Sequence, residues 1–331
     1  MKLDILVPTH SRSDLLRQCL DSVLKARIPS SLEVTVLVVD NRSTDNTKEV
    51  VQSYLTSSNP LIKYLFVGRP GKSAALNDAL DQSNAELVGF IDDDEQIDST
   101  WFDVVHREFS SDADLGFIGG PYLGNFEQQP PHWLPDTYRG AVGVDIEREA
   151  NIHGMERQQY ALGRTGMLMG GNAVIRKTAL HQVLPFPEAL CKIGNKIRLG
   201  EDEVIYHRLL TAGIKGVLVP DLVIYHWVPV ARMTKRYYRK WVTGRGISHG
   251  AQLRHRSFNE ASLFGVPRYR FKLAAKSLMT MFLHRSPKQR FTAQLDILDC
   301  FSVLYGFYFF EYEDKTAVAI VDTGNAPRAG D

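Results

Sequence analysis

Glu86–Asp94 reads ELVGFIDDD, an apolar run that stops abruptly in three adjacent carboxylates. A short apolar run bounded by polar residues reads as a buried strand. Three neighbouring acids repel one another unless a cation answers them, and hard divalent cations take oxygen ligands of this kind. Outward from this stretch the chain repeats the theme. Leu3–Val7 is a short β-rich run ending at Pro8, Val34–Val39 (VTVLVV) is continuously apolar, and Ile62–Val67 is a further strand. An unbroken apolar strand is buried on both faces. Between the strands lie helix signals. Ser13 or Asp14 caps a stripe of Leu15, Leu16, Cys19, Leu20, Val23 and Leu24, Asp45 or Thr47 opens a second helix, and Ser73–Leu80 forms a third. Strands alternating with helices predict an α/β fold with a largely parallel sheet. Ligands of such sheets bind at the carboxyl ends of the strands. Those ends carry Thr9, Asp40 and Asp92–Asp94.

The 331 residues hold 39 Lys+Arg against 38 Asp+Glu, a formal net charge of +1, and 44% hydrophobic residues. This composition excludes a disordered chain, a collagen and a coiled-coil rod. The charge balance argues against a generic nucleic-acid binder. Cys19, Cys191 and Cys300 lie far apart with no CxxC, so a reducing compartment is expected. The N-terminal apolar stretch is too short for a signal peptide, and no run reaches the ~20 apolar residues that span a bilayer. A cytoplasmic protein is expected, soluble or peripheral on the inner face of a membrane.

Other motifs carry two readings each. Gly71-Lys72-Ser73 resembles the end of a P-loop, but the required glycine is replaced by Phe66. It reads as a turn opening a helix, where backbone amides and Lys72 suit an anion. Asp92–Asp94 is either a metal site or a solvated turn with Asp98 capping the next helix. Gly200-Glu201-Asp202-Glu203 opens a helix containing Val204, Ile205, Leu209 and Leu210 that stops at Gly213. Acids in a first turn cap the helix, and a carboxylate there also stays ionised and serves as a general base. Gly216–Tyr225 includes a strand, followed by His226, which is a packed residue or a metal ligand. Pro130–Pro135 is a loop and Gly163–Asn172 is glycine-rich.

In chain order these pieces resemble the family 2 glycosyltransferases. The matching elements are Val7–Arg12 (VPTHSR), Val38–Thr47 (VVDNRSTDNT), Gly71–Asn77 (GKSAALN), Phe90–Asp94 (FIDDD), Gly170-Gly171-Asn172, Gly200-Glu201-Asp202 and His226. The resemblance covers roughly residues 3–230. It implies the GT-A fold, a Rossmann-like mostly parallel sheet flanked by helices, here with a helical C-terminal extension. It also implies a nucleotide-sugar donor, a glycan or lipid-linked acceptor, and a divalent cation, Mn²⁺ or Mg²⁺. Thr9 would touch the nucleotide, Asp40 the base, Lys72 the phosphates and Asp92 the ribose. Gly171 and Asn172 would line the donor-sugar pocket. Asp94 and His226 would hold the metal in the DxD manner. Glu201 and Asp202 form the acidic pair that supplies the catalytic base, with Asp202 preferred. The common Asp-Asp-Gly-Ser is Asp40-Asn41-Arg42-Ser43 here, which leaves the nucleotide base open. Transfer would be metal-dependent with inversion. A nucleotidyltransferase and a non-catalytic nucleotide- or carbohydrate-binding module are the alternatives. An NAD-dependent oxidoreductase is disfavoured, because no GxGxxG follows the first strand.

The resemblance divides the chain at residue 230. A catalytic domain over 1–230 has its nucleotide-binding part in about 1–120 and its acceptor part in about 121–230, and a basic, amphipathic helical region fills 231–331. Residues 222–259 contain no Asp or Glu, while Arg232–Arg256 interleaves basic residues with Tyr237, Tyr238 and Trp241. This segment is either a solvated helix or a contact for anionic membrane lipid. Phe271–Leu283 and Phe301–Phe310 would supply an apolar interfacial face, or pack on the catalytic domain, or make a dimer. The tail Asp322–Asp331 reads as frayed.

Overall fold

The computed structural model describes residues 1–55, 61–144, 155–161, 168, 170–188, 201–254, 261–283 and 286–310. Expectations placed on Gly163–Met167, Met169, Cys191, Gly200, Arg256 and Asp322–Asp331 lie outside the described residues. The described residues form two compact units. One comprises 1–123, the described parts of 148–188, and 201–226; the other comprises the described parts of 124–147 and 227–331.

In chain order the elements up to residue 228 are β1 (Lys2–Thr9), α1 (Ser13–Lys25), β2 (Glu33–Asp40), α2 (Thr47–Leu55), β3 (Ile62–Phe66), α3 (Lys72–Gln82) and β4 (Leu87–Phe90). It continues through β5 (Glu95–Ile97), α4 (Trp101–Ser111), β6 (Phe117–Gly119) and β7 (Tyr122–Phe126). Then come β8 (Gln158–Gln159), β9 (Ala173–Arg176), α5 (Lys177–Leu180), α6 (Glu201–Thr211), β10 (Gly216–Leu218) and β11 (Ile224–Val228). The main sheet has the order β3-β2-β1-β4-β9-β6-β10-β8. The pairs β1–β2, β2–β3, β1–β4 and β6–β10 are parallel. The sheet turns antiparallel at β9, between β4 and β6, and at the β8 edge. The expected α/β class and mostly parallel sheet are therefore present.

Alternation explains why the strand sequences look uniformly apolar. Leu3, Ile5 and Val7 of β1 pack with Val34, Val36 and Val38 of β2 into one core with α1 and α4. Leu6, Val39, Val88 and Phe90 face the opposite core with α3 and α6. Side chains alternate faces along a strand, so a sheet covered on both sides needs apolar residues throughout.

Two local expectations are corrected. Neither Ser13 nor Asp14 caps α1 through its side chain: the helix begins at Ser13 itself. The Ser13 amide donates to Asp45 Oδ2 at 3.0 Å and its hydroxyl to Asn46 Oδ1 at 2.6 Å, so a neighbouring loop takes over the capping chemistry. His226 does not follow a strand but lies inside β11, opposite Glu95 in β5. The three residues of β5 are too few to show a period, so this pairing left no mark on the sequence. It belongs to a small sheet of order β5-β11-β7.

The second unit contains α7 (Lys235–Leu253), α8 (Arg268–Leu283) and α9 (Pro287–Phe309). Helices α7 and α9 approach backbone to backbone, since a Cβ on Gly250 would stand 2.1 Å from the Val303 carbonyl oxygen. Helix α8 is inside-out. Its buried residues are Arg270 and Ser277. Arg270 Nη1 donates to Asp299 Oδ2 at 2.5 Å, and Ser277 Oγ donates to Asp296 Oδ2 at 2.8 Å. Leu278, Met279, Phe282 and Leu283 face outward. No helix among the described residues is long and apolar enough to cross a membrane.

Candidate active site

The parallel register sets three strand ends side by side. Thr9 is opposite Asp40, and Leu6 is opposite Phe90, two residues before Asp92. Each carboxylate of the triplet meets a cation. Lys72 Nζ stands 2.6 Å from Asp92 Oδ1. Arg12 Nη1 stands 2.9 Å from Asp93 Oδ1 and 3.1 Å from Asp94 Oδ2. The Thr9 hydroxyl donates to Asp93 Oδ2 at 2.8 Å. Burial pushes the Asp93 carboxyl up to about 6 against the pull of Arg12. Burial also disfavours charge on Lys72, yet the carboxylates of Asp92, Asp202 and Glu201 outweigh it and hold the ammonium.

Asp202 and Glu201 enter from the first turn of α6. Both are raised by burial, Glu201 to about 7, with Lys72 acting to keep them ionised. The Gly170 backbone amide hydrogen-bonds Asp202. The two glycines are there for space. A Cβ on Gly170 would stand 2.1 Å from Asp202 Oδ1, and one on Gly171 2.2 Å from Glu95 Oε1. The structure thus brings together Thr9, Lys72, Asp92, Asp94, Gly171, Glu201, Asp202 and His226.

Two of the expected donor contacts have other work for their side chains. Asn172 is fully buried: its Oδ1 accepts from Trp101 Nε1 at 3.0 Å, and its Nδ2 donates to Leu222 O at 2.7 Å. It braces the strands around the glycine pair, so its amide is already committed to protein partners. Removing this hub leaves an indole N–H and backbone carbonyls unpaired, so Asn172→Ala is expected to cost about 2–3 kcal/mol. Urea unfolding checks this. Asp40 accepts from the Ser43 amide at 2.8 Å and from the Tyr64 hydroxyl at 2.7 Å, which still leaves lone pairs on its carboxylate.

The departure at Asn41 has a structural reason. Asn41 Oδ1 accepts the Gly71 amide at 2.7 Å while Nδ2 donates to Arg69 O at 2.5 Å. An aspartate would lack that donor. Arg42 adopts φ +64°, the left-handed backbone that the family's glycine suits. Sequence reasoning missed Arg12, Glu95 and Tyr122. Glu95 is 1% exposed and accepts the Asp92 amide at 2.8 Å, fixing the acidic turn. Burial and the charges of Glu95, Asp92 and Asp202 push the Tyr122 phenol up. For Glu95 the signal in the sequence is its place as the last acid of the unbroken run Asp92–Glu95.

Metal fit rests on Asp94 and His226. His226 Nε2 stands 3.7 Å from Asp94 Oδ2, both side chains being buried. With bonds of about 2.1 Å, two such atoms can share one ion. Among the described residues no three His, Cys, Asp or Glu side chains gather into a metal cluster. By its donor chemistry the pair could supply two ligands to an ion that takes the rest of its shell from ligand oxygens, as Mg²⁺-type ions do with phosphates.

The model of glycosyl transferase family 2 matches residues 4–184. Glycosyltransferase AglE of Haloferax volcanii is 24% identical over 240 residues, 72% of this chain and 71% of AglE. The GalNAc(5)-diNAcBac-PP-undecaprenol beta-1,3-glucosyltransferase of Campylobacter jejuni is 34% identical over 98 residues, 29% of this chain and 30% of that protein. Among solved structures, mannosyltransferase PcManGT from Pyrobaculum calidifontis, in complex with GDP-Man and Mn²⁺, superposes with a TM-score of 0.61 at 17% identity. That match covers 92% of this chain and 87% of PcManGT.

Proposed function

The chain belongs to glycosyl transferase family 2, and we propose that it moves a sugar, with inversion, from a nucleotide-diphospho-sugar to a hydroxyl of a glycan or lipid-linked acceptor. The observation that carries this reading is the convergence of Asp92–Asp94, Lys72 and Asp202 at adjoining strand ends. Asp40 and Thr9 bound the nucleotide end, and Asp92 lies toward the ribose. Asp94 and His226 would hold a divalent cation, Mn²⁺ or Mg²⁺, which when bound neutralises charge developing on the diphosphate. Lys72 adds a fixed positive charge beside it. Asp202 accepts the proton of the acceptor hydroxyl as that oxygen bonds to the anomeric carbon. The bond from this carbon to the diphosphate oxygen breaks, and its electron pair leaves on the nucleoside diphosphate. Glu201, next in the same helical turn, keeps negative charge at the base. Gly170 and Gly171 leave room for Asp202 and Glu95 where a side chain would fill the site.

The relatives do not favour a nucleotidyltransferase or a non-catalytic module. Product analysis tests the difference: nucleoside diphosphate release with sugar incorporation is expected, and pyrophosphate release would overturn the reading.

The membrane part of the reading is supported by the second unit. Of the fourteen large hydrophobic side chains exposed among the described residues, eleven lie between Leu263 and Phe309. Phe282 and Leu283 are 79% and 77% exposed. Over residues 261–310 the acids are Asp296 and Asp299, both buried, so the charges left at the surface are basic. Such a face suits anionic lipid, where each basic residue contributes about 1 kcal/mol. A second copy would bring the same positive charge. We expect the protein to sediment with phosphatidylglycerol vesicles and to be released by salt. Phe282→Ser with Leu283→Ser should abolish sedimentation at unchanged Tm. Wild type remaining in the supernatant would remove this part of the reading.

A further inference from the structure

Arg12 is a cation of the site to which the proposed chemistry gives no task beyond its pairing with Asp93 and Asp94. Its Nη1 bridges Asp93 Oδ1 and Asp94 Oδ2 at 2.9 and 3.1 Å. The same Asp94 Oδ2 is the oxygen that faces His226. The guanidinium therefore stands on the oxygen that a divalent cation would take.

We propose that Arg12 is a displaceable counter-ion: it holds Asp94 while the donor site is vacant and turns to the diphosphate once a divalent cation claims that carboxylate. This rests on the reading of Asp94 as a metal ligand. Three features of the geometry carry it. Arg12 lies on the solvent side, with its side chain 35% exposed against 5% for Asp93 and 7% for Asp94. Asp93 keeps Thr9 as a second partner when Arg12 leaves. The backbone around Arg12 is pinned while its side chain is long enough to swing. Ser11 sits at φ +51°, its amide donates to Ser43 Oγ at 2.9 Å, and the Ser13 amide is held by Asp45. A planar fork of N–H donors matches two phosphate oxygens as well as it matches two carboxylates.

A permanent structural clamp and a displaceable counter-ion predict different signs. Mn²⁺ alone, titrated by electron paramagnetic resonance, competes with Arg12 for Asp94. Pyrophosphate with saturating Mn²⁺, titrated by calorimetry, gains Arg12 as a partner. Arg12→Gln is expected to tighten Mn²⁺ alone by about fivefold or more and to weaken pyrophosphate binding by about tenfold. Shifts of the same sign, or no shift in either titration, overturn the proposal; so does an absence of Mn²⁺ binding in both proteins. Circular dichroism establishes that the variant is folded. If it is not, Arg12→Lys carries the test. That variant keeps the charge but loses the fork, so Mn²⁺ alone should stay within about twofold while pyrophosphate weakens. Equal weakening of both would overturn the proposal. Asp94→Asn separates the two layers: Mn²⁺ binding at wild-type strength there removes the metal reading, whereas its loss with no Arg12 effect removes only the counter-ion.

Discussion

Asp202→Asn is expected to lower sugar transfer about 10³-fold with the nucleotide still bound, because a positioned general base contributes roughly 10²–10⁴. The amide retains the shape that Gly170 accommodates but cannot take a proton. It keeps an acceptor oxygen for the Gly170 amide, so the fold should hold. The pH profile supplies a second readout. Burial raises Asp202 and lifts Glu201 to about 7. A base works deprotonated, so activity should rise with pH along a limb displaced above the ordinary carboxylate range. Lys72 pulls these groups the other way, and Lys72→Met should move the limb higher still. Full activity in Asp202→Asn, measured as nucleoside diphosphate release, would remove Asp202 from the chemistry.

The second large effect concerns the cation. Chelation by EDTA, or Asp94→Asn, is expected to cut kcat/KM by about 10²–10³, the rate equivalent of several kcal/mol of charge stabilisation. Excess Mn²⁺ should restore the chelated wild type and not the variant. The physical basis is the 3.7 Å pair of Asp94 and His226, with Asp92 and Asp93 next to Asp94 in the chain. His226→Ala should fall in the same direction by a smaller factor, because a phosphate-bridged ion keeps its remaining ligands. Undiminished turnover in EDTA would show that Lys72 and Arg12 suffice for the diphosphate.

The metal and base predictions draw on residues that are legible in the sequence, since Asp94, Asp202 and His226 each fall in one of the motifs that resemble the family. Asn172 shows what a motif leaves out. Its place after Gly170-Gly171 suggests a donor contact, but its amide is committed to Trp101 and the Leu222 carbonyl, partners 71 and 50 residues away. Helix α8 shows another limit of the sequence. Its apolar residues predict an amphipathic helix, and the structure decides among the readings of that face: the polar side turns inward, because Asp296 and Asp299 on α9 pair with Ser277 and Arg270.

By itself the sequence determined the strand–helix alternation, the burial of the strands on both faces and the set of carboxylates at their ends. These follow from local pattern: period, caps and the run of charge after an apolar segment. Tertiary structure decided which carboxylate meets which cation, that β9 enters antiparallel between β4 and β6, and that His226 reaches Asp94 from inside a strand. Such outcomes depend on contacts between residues far apart in the chain. Arg12 and Asp94 are 82 positions apart, and nothing in either neighbourhood records the other. The energy of burying Asp93, Asp94 and Glu95 in a row is settled only where all their partners arrive together.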